Sequence, residues 1–263
     1  MNKSAWTAFE KARLRFRNAV EETEAALPGL PELQRRLVNG RSGPAYVVET
    51  PVVYNEALDD VEPGCGIRLI LVGDNPGRRE QAARRYLVGP SGKIAENFFR
   101  RCPELGVDFR KNVIILNKTP VHTPRTAELK ELYRLQNGEN AGSASCADAF
   151  SRAMDESQRV MAELLLEFQR ALSKGSAGTV PVWITGYSEM RKGGIFEAYT
   201  ETLRNLYAGE KILGKSIFLY RHFSMNQFTI DLRRKTEAGE SGEGTAEVLA
   251  RVGAAYRKRI LGW

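Results

Sequence analysis

The apolar positions of residues 5–27 recur at helical spacing: Trp6, Phe9, Ala12, Leu14, Phe16, Val20 and Ala25. They predict a helix, which Pro28 and Pro31 end. A second short helix is expected over 32–38 and a loop over 39–44. Residues 46–48 and 52–54 read as short edge strands. Beyond them the pattern settles into a βα rhythm. Compact apolar runs at 68–72, 112–117, 180–185 and 216–220 predict strands, and Gly186 follows the third. Helical spacing returns at 94–102, 146–172, 195–207 and 246–260. Apolar strands separated by helical crossovers imply a parallel sheet covered on both faces. The fold class is therefore α/β: a three-layer sandwich with a central, mainly parallel four-stranded sheet flanked by helices. One domain over 1–263 is expected, with 1–45 as an N-terminal helical extension. The stretches 136–145 and 235–245, rich in Gly with Asn and Ser or with Glu, read as surface loops between helices.

Composition adds limits. The net charge is +7, an excess that favours polyanions, nucleic acid above all. No apolar run approaches the roughly 20 residues of a membrane span. The N-terminal stretch around Lys11, Arg13, Arg15 and Arg17 lacks the apolar centre of a secretory signal, so a cytoplasmic location is expected. Cys65, Cys102 and Cys146 stand alone, with no C-x-x-C pair, and read as free thiols. No Cys/His metal spacing occurs, and no cofactor is expected.

Sites in parallel sheets lie at the carboxyl ends of strands. The first strand runs into Gly73-Asp74-Asn75-Pro76-Gly77, either a plain turn or a turn that lets backbone approach a ligand. Further on, Tyr86-Leu87-Val88-Gly89-Pro90-Ser91-Gly92-Lys93 opens a helix. Its backbone N–H groups and Lys93 face an anion or base edge, or else Ser91 is merely the N-cap. The second strand ends in Asn117, whose amide matches the mixed edge of a nucleobase or braces a loop. The fourth ends before His222, at a place suited to stabilising developing negative charge or to a structural role.

In this order the segments resemble the uracil-DNA glycosylase superfamily. Gly73-Asp74-Asn75-Pro76-Gly77 is similar to the Gly-x-Asn-Pro-Gly loop of its mismatch-specific and single-strand-selective branches. Leu87-Val88-Gly89-Pro90-Ser91-Gly92 resembles the Phe-Val-Gly-x-x-Gly segment of its iron–sulfur branch. Ile114-Ile115-Leu116-Asn117 resembles the strand ending in Asn, and His222-Phe223-Ser224 the closing His-Pro-Ser. The resemblance covers residues 67–226 and implies a glycosylase-like fold, hydrolysis of a base from DNA after base flipping, and a partner that is DNA with a damaged or deaminated base. It implies that Asn75 holds the water and that His222 donates to the departing base. Gly73, Asp74, Leu87 and Asn117 would bind the base. Gly89, Ser91, Gly92, Lys93 and Ser224 would grip phosphates, with Lys118 and Arg221 adding charge. Met225 and Phe228 are the candidates for a residue that wedges into the duplex.

The departures are specific. Leu87 stands where the family stacks an aromatic on the base, with Tyr86 as a possible substitute. Phe223 replaces a proline, and Gly77 replaces the tyrosine that excludes thymine. The cluster cysteines are absent. Arg78, Arg79, Arg84 and Arg85 line a DNA groove or a solvated face. His122 is a loop residue near the expected pocket. Two other readings stand beside the glycosylase: a catalytically inactive DNA-binding relative, and a different α/β enzyme acting on a nucleotide or phosphate ester. A monomer is expected.

Overall fold

In a computed structural model, which describes residues 1–40, 46–136, 144–174, 178–237 and 242–263, the four apolar runs pair side by side. They are β1 (Leu69–Gly73), β2 (Val113–Asn117), β3 (Val182–Thr185) and β4 (Ile217–Tyr220). All pairings are parallel and the order is β2-β1-β3-β4. Every residue of β1 and β3 is buried, as a sheet covered on both faces requires. Helices surround the sheet in a three-layer α/β sandwich.

The helix α1 (Lys3–Ala26) is capped by Asn2, whose side chain accepts from the Ala5 N–H at 2.8 Å. Its buried stripe of Ala5, Phe9, Ala12 and Phe16 follows the 4-3-4 spacing of one helix face. That stripe lies along α6 (Ala144–Ser173), where Phe9 meets Phe168 at 5.4 Å between ring centroids. Phe16 meets Tyr54 and Tyr86, so α1 belongs to the same continuous apolar cluster as the sheet. Pro31 sits in the first turn of α2 (Leu30–Asn39), where its missing N–H costs nothing; it opens a helix as well as following one.

Four further helices lie outside the periodic segments: α3 (Arg78–Ala83), α5 (Glu128–Gln136), α8 (Lys211–Lys215) and α9 (Gln227–Glu237). The remaining three, α4 (Pro90–Arg101), α7 (Glu197–Tyr207) and α10 (Thr245–Leu261), match the expected helices within a few residues. The expected edge strands at 46–48 and 52–54 do not form. A single antiparallel bridge joins Val52 to Val121. The Gln81 amide takes the place of a strand partner, accepting from the N–H groups of Glu49 and Thr50 and donating to the Val47 carbonyl.

The loop expected at 39–44 lies mostly outside the described residues. So do the centres of the two glycine-rich loops; their ends belong to α5, α6, α9 and α10. Cys65 and Cys102 are free thiols, and the Cys146 side chain lies outside the described residues. Among the described residues no helix is long and apolar enough to cross a membrane.

Candidate active site at the carboxyl ends of the strands

The chain leaves β1 toward β2 on one side and returns past it to β3 on the other, which makes the carboxyl ends of these strands the switch point where such sheets place their ligand sites. Gly73 is level with Asn117 there, and Thr185 with Tyr220. Gly73 carries no side chain because the Asn117 amide oxygen occupies the space a Cβ would need. Asn117 is only 2% exposed, and among the described residues its Nδ2 has no hydrogen-bond partner. An unpartnered buried donor costs about 1–3 kcal/mol. Such a group at a strand end is ready for a ligand acceptor.

Asp74, expected to bind the base, is buried and engaged by neighbouring side chains. Its Oδ1 accepts from Lys118 Nζ at 2.5 Å and its Oδ2 from Thr126 Oγ1 at 3.1 Å. The carboxylate rests on Gly186, whose φ of +76° and lack of a Cβ both serve this contact. Lys118 is fully buried and not at a phosphate-facing surface, which corrects the expectation from sequence. Its ammonium also donates to the Thr185 carbonyl at 2.5 Å and the Gly73 carbonyl at 3.4 Å, and lies 4.9 Å above the Phe196 ring. One cation thus ties together the ends of β1, β2 and β3. Burial lowers the Lys118 pKa, and Asp74 opposes that shift.

Asn75 is held by Thr123, a residue the sequence reading did not single out. Asn75 Nδ2 donates to Thr123 Oγ1 at 2.8 Å and to the Thr123 carbonyl at 3.2 Å. The Thr123 hydroxyl spends its proton on the Arg125 carbonyl at 2.9 Å, so toward Asn75 it only accepts. Both partners therefore select the amide nitrogen, and Asn75 Oδ1 is turned the other way. Backbone bonds fix the loop itself: Thr123 N–H donates to the Pro76 carbonyl, and Lys118 N–H to the carbonyls of Gly73 and Asp74.

His122 supports this loop from beneath. It is fully buried and out of reach of a substrate. Its Nδ1 bonds the Pro76 carbonyl at 2.8 Å and so carries a proton, leaving Nε2 to accept from the Tyr46 hydroxyl at 2.9 Å. Burial pushes its pKa from 6.5 down to about 4. Between those values the unfolded ring takes a proton that the folded ring refuses. Its contribution to stability is full above pH 6.5 and is lost as the pH falls toward 4, a loss of about 3 kcal/mol. Urea unfolding at pH 7 and near pH 4.5 is expected to show this decline, and His122→Gln to remove most of it. An equal slope in both proteins would contradict it.

His222 is half-buried just past β4. Its Nδ1 accepts from the Ser224 N–H at 3.0 Å, so the neutral ring carries its proton on Nε2. Burial lowers its pKa; Asp74 opposes that and Lys118 adds to it. The imidazole is thus held neutral as an Nε2–H donor. The turn after it exposes Ser224, Met225 and Asn226. Met225 and Asn226 have φ of +52° and +58°, a region that Asn tolerates but that strains Met225, and Met225 is 83% exposed. Phe228 is 2% exposed and stacks on buried Phe223 at 4.4 Å, which removes it as a wedge and leaves Met225. Phe223, where the family has proline, is a core residue that anchors this turn.

The segment before α4 is built around Leu87, another side-chain-bearing residue with positive φ, +51°. A Cβ on Gly92 would collide with the Leu87 carbonyl, so only glycine closes this turn. Gly89, not Ser91, is the N-cap of α4; Ser91 and Lys93 lie in its first turn, with Lys93 exposed. Helix α4 packs against the Ser224–Asn226 turn, which brings Ser91, Lys93 and Ser224 onto neighbouring elements. Tyr86 is not a stacking surface: it is buried beside Phe16, and its hydroxyl donates to the Val53 carbonyl at 2.6 Å. Three of the four arginines after the loop have local partners: Arg84 pairs with Glu56, Arg85 with Asp60, and Arg78 lies over Tyr46. Arg221 is exposed, 3.5 Å from Asp231.

Fold and site define a parallel α/β protein with two amides and a neutral imidazole at its strand ends. No protein-family model matches the chain, and a search of the curated proteins finds no match.

Proposed function

We propose that the protein is a DNA glycosylase that hydrolyses the N-glycosidic bond of uracil or a related deaminated base in DNA. The observation that carries this reading is the buried, unpartnered Asn117 Nδ2 beside the Asn75 loop. A base carbonyl arriving at the strand ends would accept from it. As the C1′–N bond breaks, its electron pair passes to the base, and the His222 Nε2–H donates to the oxygen that gains charge. Asn75 Oδ1 accepts a hydrogen from water, leaving the water lone pair for C1′. An amide cannot take the water's proton, which leaves after attack on the oxocarbenium-like sugar. Ser91, Lys93 and Ser224 are suited to phosphate contact, Met225 to unstacking the duplex, and the charge of +7 to the polyanion. We take the protein to act as a cytoplasmic monomer.

One observation favours a second reading. Leu87 and the inward-turned Tyr86 offer no aromatic face to a base, and stacking on an aromatic is worth roughly 1–3 kcal/mol. That favours a relative that binds DNA without cutting the bond. The two separate in one experiment. Oligonucleotides carrying uracil, hypoxanthine or xanthine are expected to release free base, while the matching free nucleosides do not. Salt-sensitive binding without release would support the binding-only relative. Absence of both would defeat the DNA reading.

A further inference from the structure

Glu80 is a buried carboxylate three residues beyond Gly77, and none of the roles above uses it. Its Oε2 accepts from the Gly77 N–H at 2.6 Å. The N–H groups of Leu87 and Gly89 face the same carboxylate and favour its charged form. Gly77 ends the loop that carries Asn75, whereas Leu87 and Gly89 begin the turn into α4. One carboxylate therefore joins two loops that the chain separates. The carboxylate lies against both turns: a Cβ at Gly77 or Gly89 would stand in ordinary contact with it, 3.5 Å from Oε2 and 3.8 Å from Oε1.

The Leu87 peptide is gripped from its other side as well. Its carbonyl accepts from Arg110 Nη1 and Nη2, each at 3.3 Å, and rests on Gly92. Left-handed backbone at a leucine costs about 1–2 kcal/mol. It persists only where the surroundings hold it in place. Here Arg110 holds the carbonyl and the Glu80 carboxylate faces the N–H.

We infer that Glu80 is a positioning residue that fixes the Leu87 wall of the base pocket relative to the Asn75 loop. This rests on the glycosylase reading above. The N–H groups of Leu87 and Gly89, which the sequence offers to a phosphate, instead face an internal anion. Phosphate contact then falls to Ser91, Lys93 and Ser224. The ionised carboxylate suits the Gly77 N–H bond and the two further N–H groups that face it. Burial raises its pKa, and the N–H groups that face it oppose that; Tyr86, whose own pKa Glu80 raises, stays a neutral phenol beside it. Its protonation releases the clamp at a pH above the ordinary carboxylate range.

The test compares wild type, Glu80→Gln and Glu80→Asp in single-turnover base release, alongside oligonucleotide Kd and thermal unfolding. Glu80→Gln turns an amide NH2 toward backbone donors. It is expected to slow release on the order of 100-fold, the scale of an ångström-sized misplacement, with Kd unchanged. The wild-type rate is expected to fall at acid pH while the protein stays folded. In Glu80→Gln the part of that fall due to Glu80 is expected to be lost. An unchanged acid limb, or a rate loss that only tracks unfolding, overturns the inference. If wild type releases no base, the glycosylase reading fails and the clamp is judged separately by amide hydrogen exchange. Leu87 and Gly89 are expected to exchange slowly in wild type and fast in Glu80→Gln; equal protection in both overturns the clamp itself.

Discussion

Lys118→Met is expected to destabilise the protein by about 3–5 kcal/mol, because it strands the buried Asp74 carboxylate without its cation. The ammonium also serves the Thr185 and Gly73 carbonyls, so the ends of three strands lose a common partner. A buried pair replaced as a whole behaves differently, since both desolvation costs vanish together. The double variant Asp74→Asn/Lys118→Met is therefore expected to recover most of the loss. Urea unfolding of the two single variants and the double measures this directly. Equal stability of Lys118→Met and wild type would show that Asp74 is not held as a buried anion.

The second large effect concerns catalysis. Asn75→Ala is expected to slow base release on the order of 100-fold or more, through loss of an oriented water. The structure makes a sharper statement about Thr123. Thr123→Val keeps the shape and removes one acceptor from the Asn75 amide, while the Thr123 carbonyl still accepts. A loss of roughly tenfold follows, the value of one good hydrogen bond. In an Asn75→Asp background the same change is expected to be neutral or favourable. A carboxylate brings only acceptors, and Thr123 Oγ1 and the Thr123 carbonyl are acceptors too. Release rates of the four proteins test this. Equal losses from Thr123→Val in both backgrounds would mean that Thr123 supports the loop without orienting the amide.

The sheet was legible because its strands are buried on both faces and read as unbroken apolar runs, as in Leu69–Gly73. Asn75, Asn117 and His222 could be picked out because polar residues directly after such runs mark the carboxyl ends. The edge strands failed for a local reason. Residues 46–54 have strand-like composition, yet Pro51 interrupts them and Gln81, distant in sequence, takes their backbone groups. Lys118 reads as a surface charge because lysine is almost never fully buried unless paired, and its pair is 44 residues away. Tyr86 and Phe228 misled for the opposite reason: aromatic residues flanking a candidate site are equally good core residues, and only packing decides. Glu80 did leave a signal, since a Glu three residues beyond a turn marks the start of a helix. Thr123 left none; its role depends on where its hydroxyl proton points.

The most direct test of the central claim is the release of base from a labelled oligonucleotide carrying uracil, hypoxanthine or xanthine, read as alkali-sensitive strand breaks. Wild type, Asn75→Ala and His222→Ala are compared after each variant is shown to be folded. Breaks at the modified base in wild type, lost on the order of 100-fold or more in both variants, are the expected result. Breaks that persist unchanged in both variants would contradict the site, and no breaks on any substrate would contradict the function.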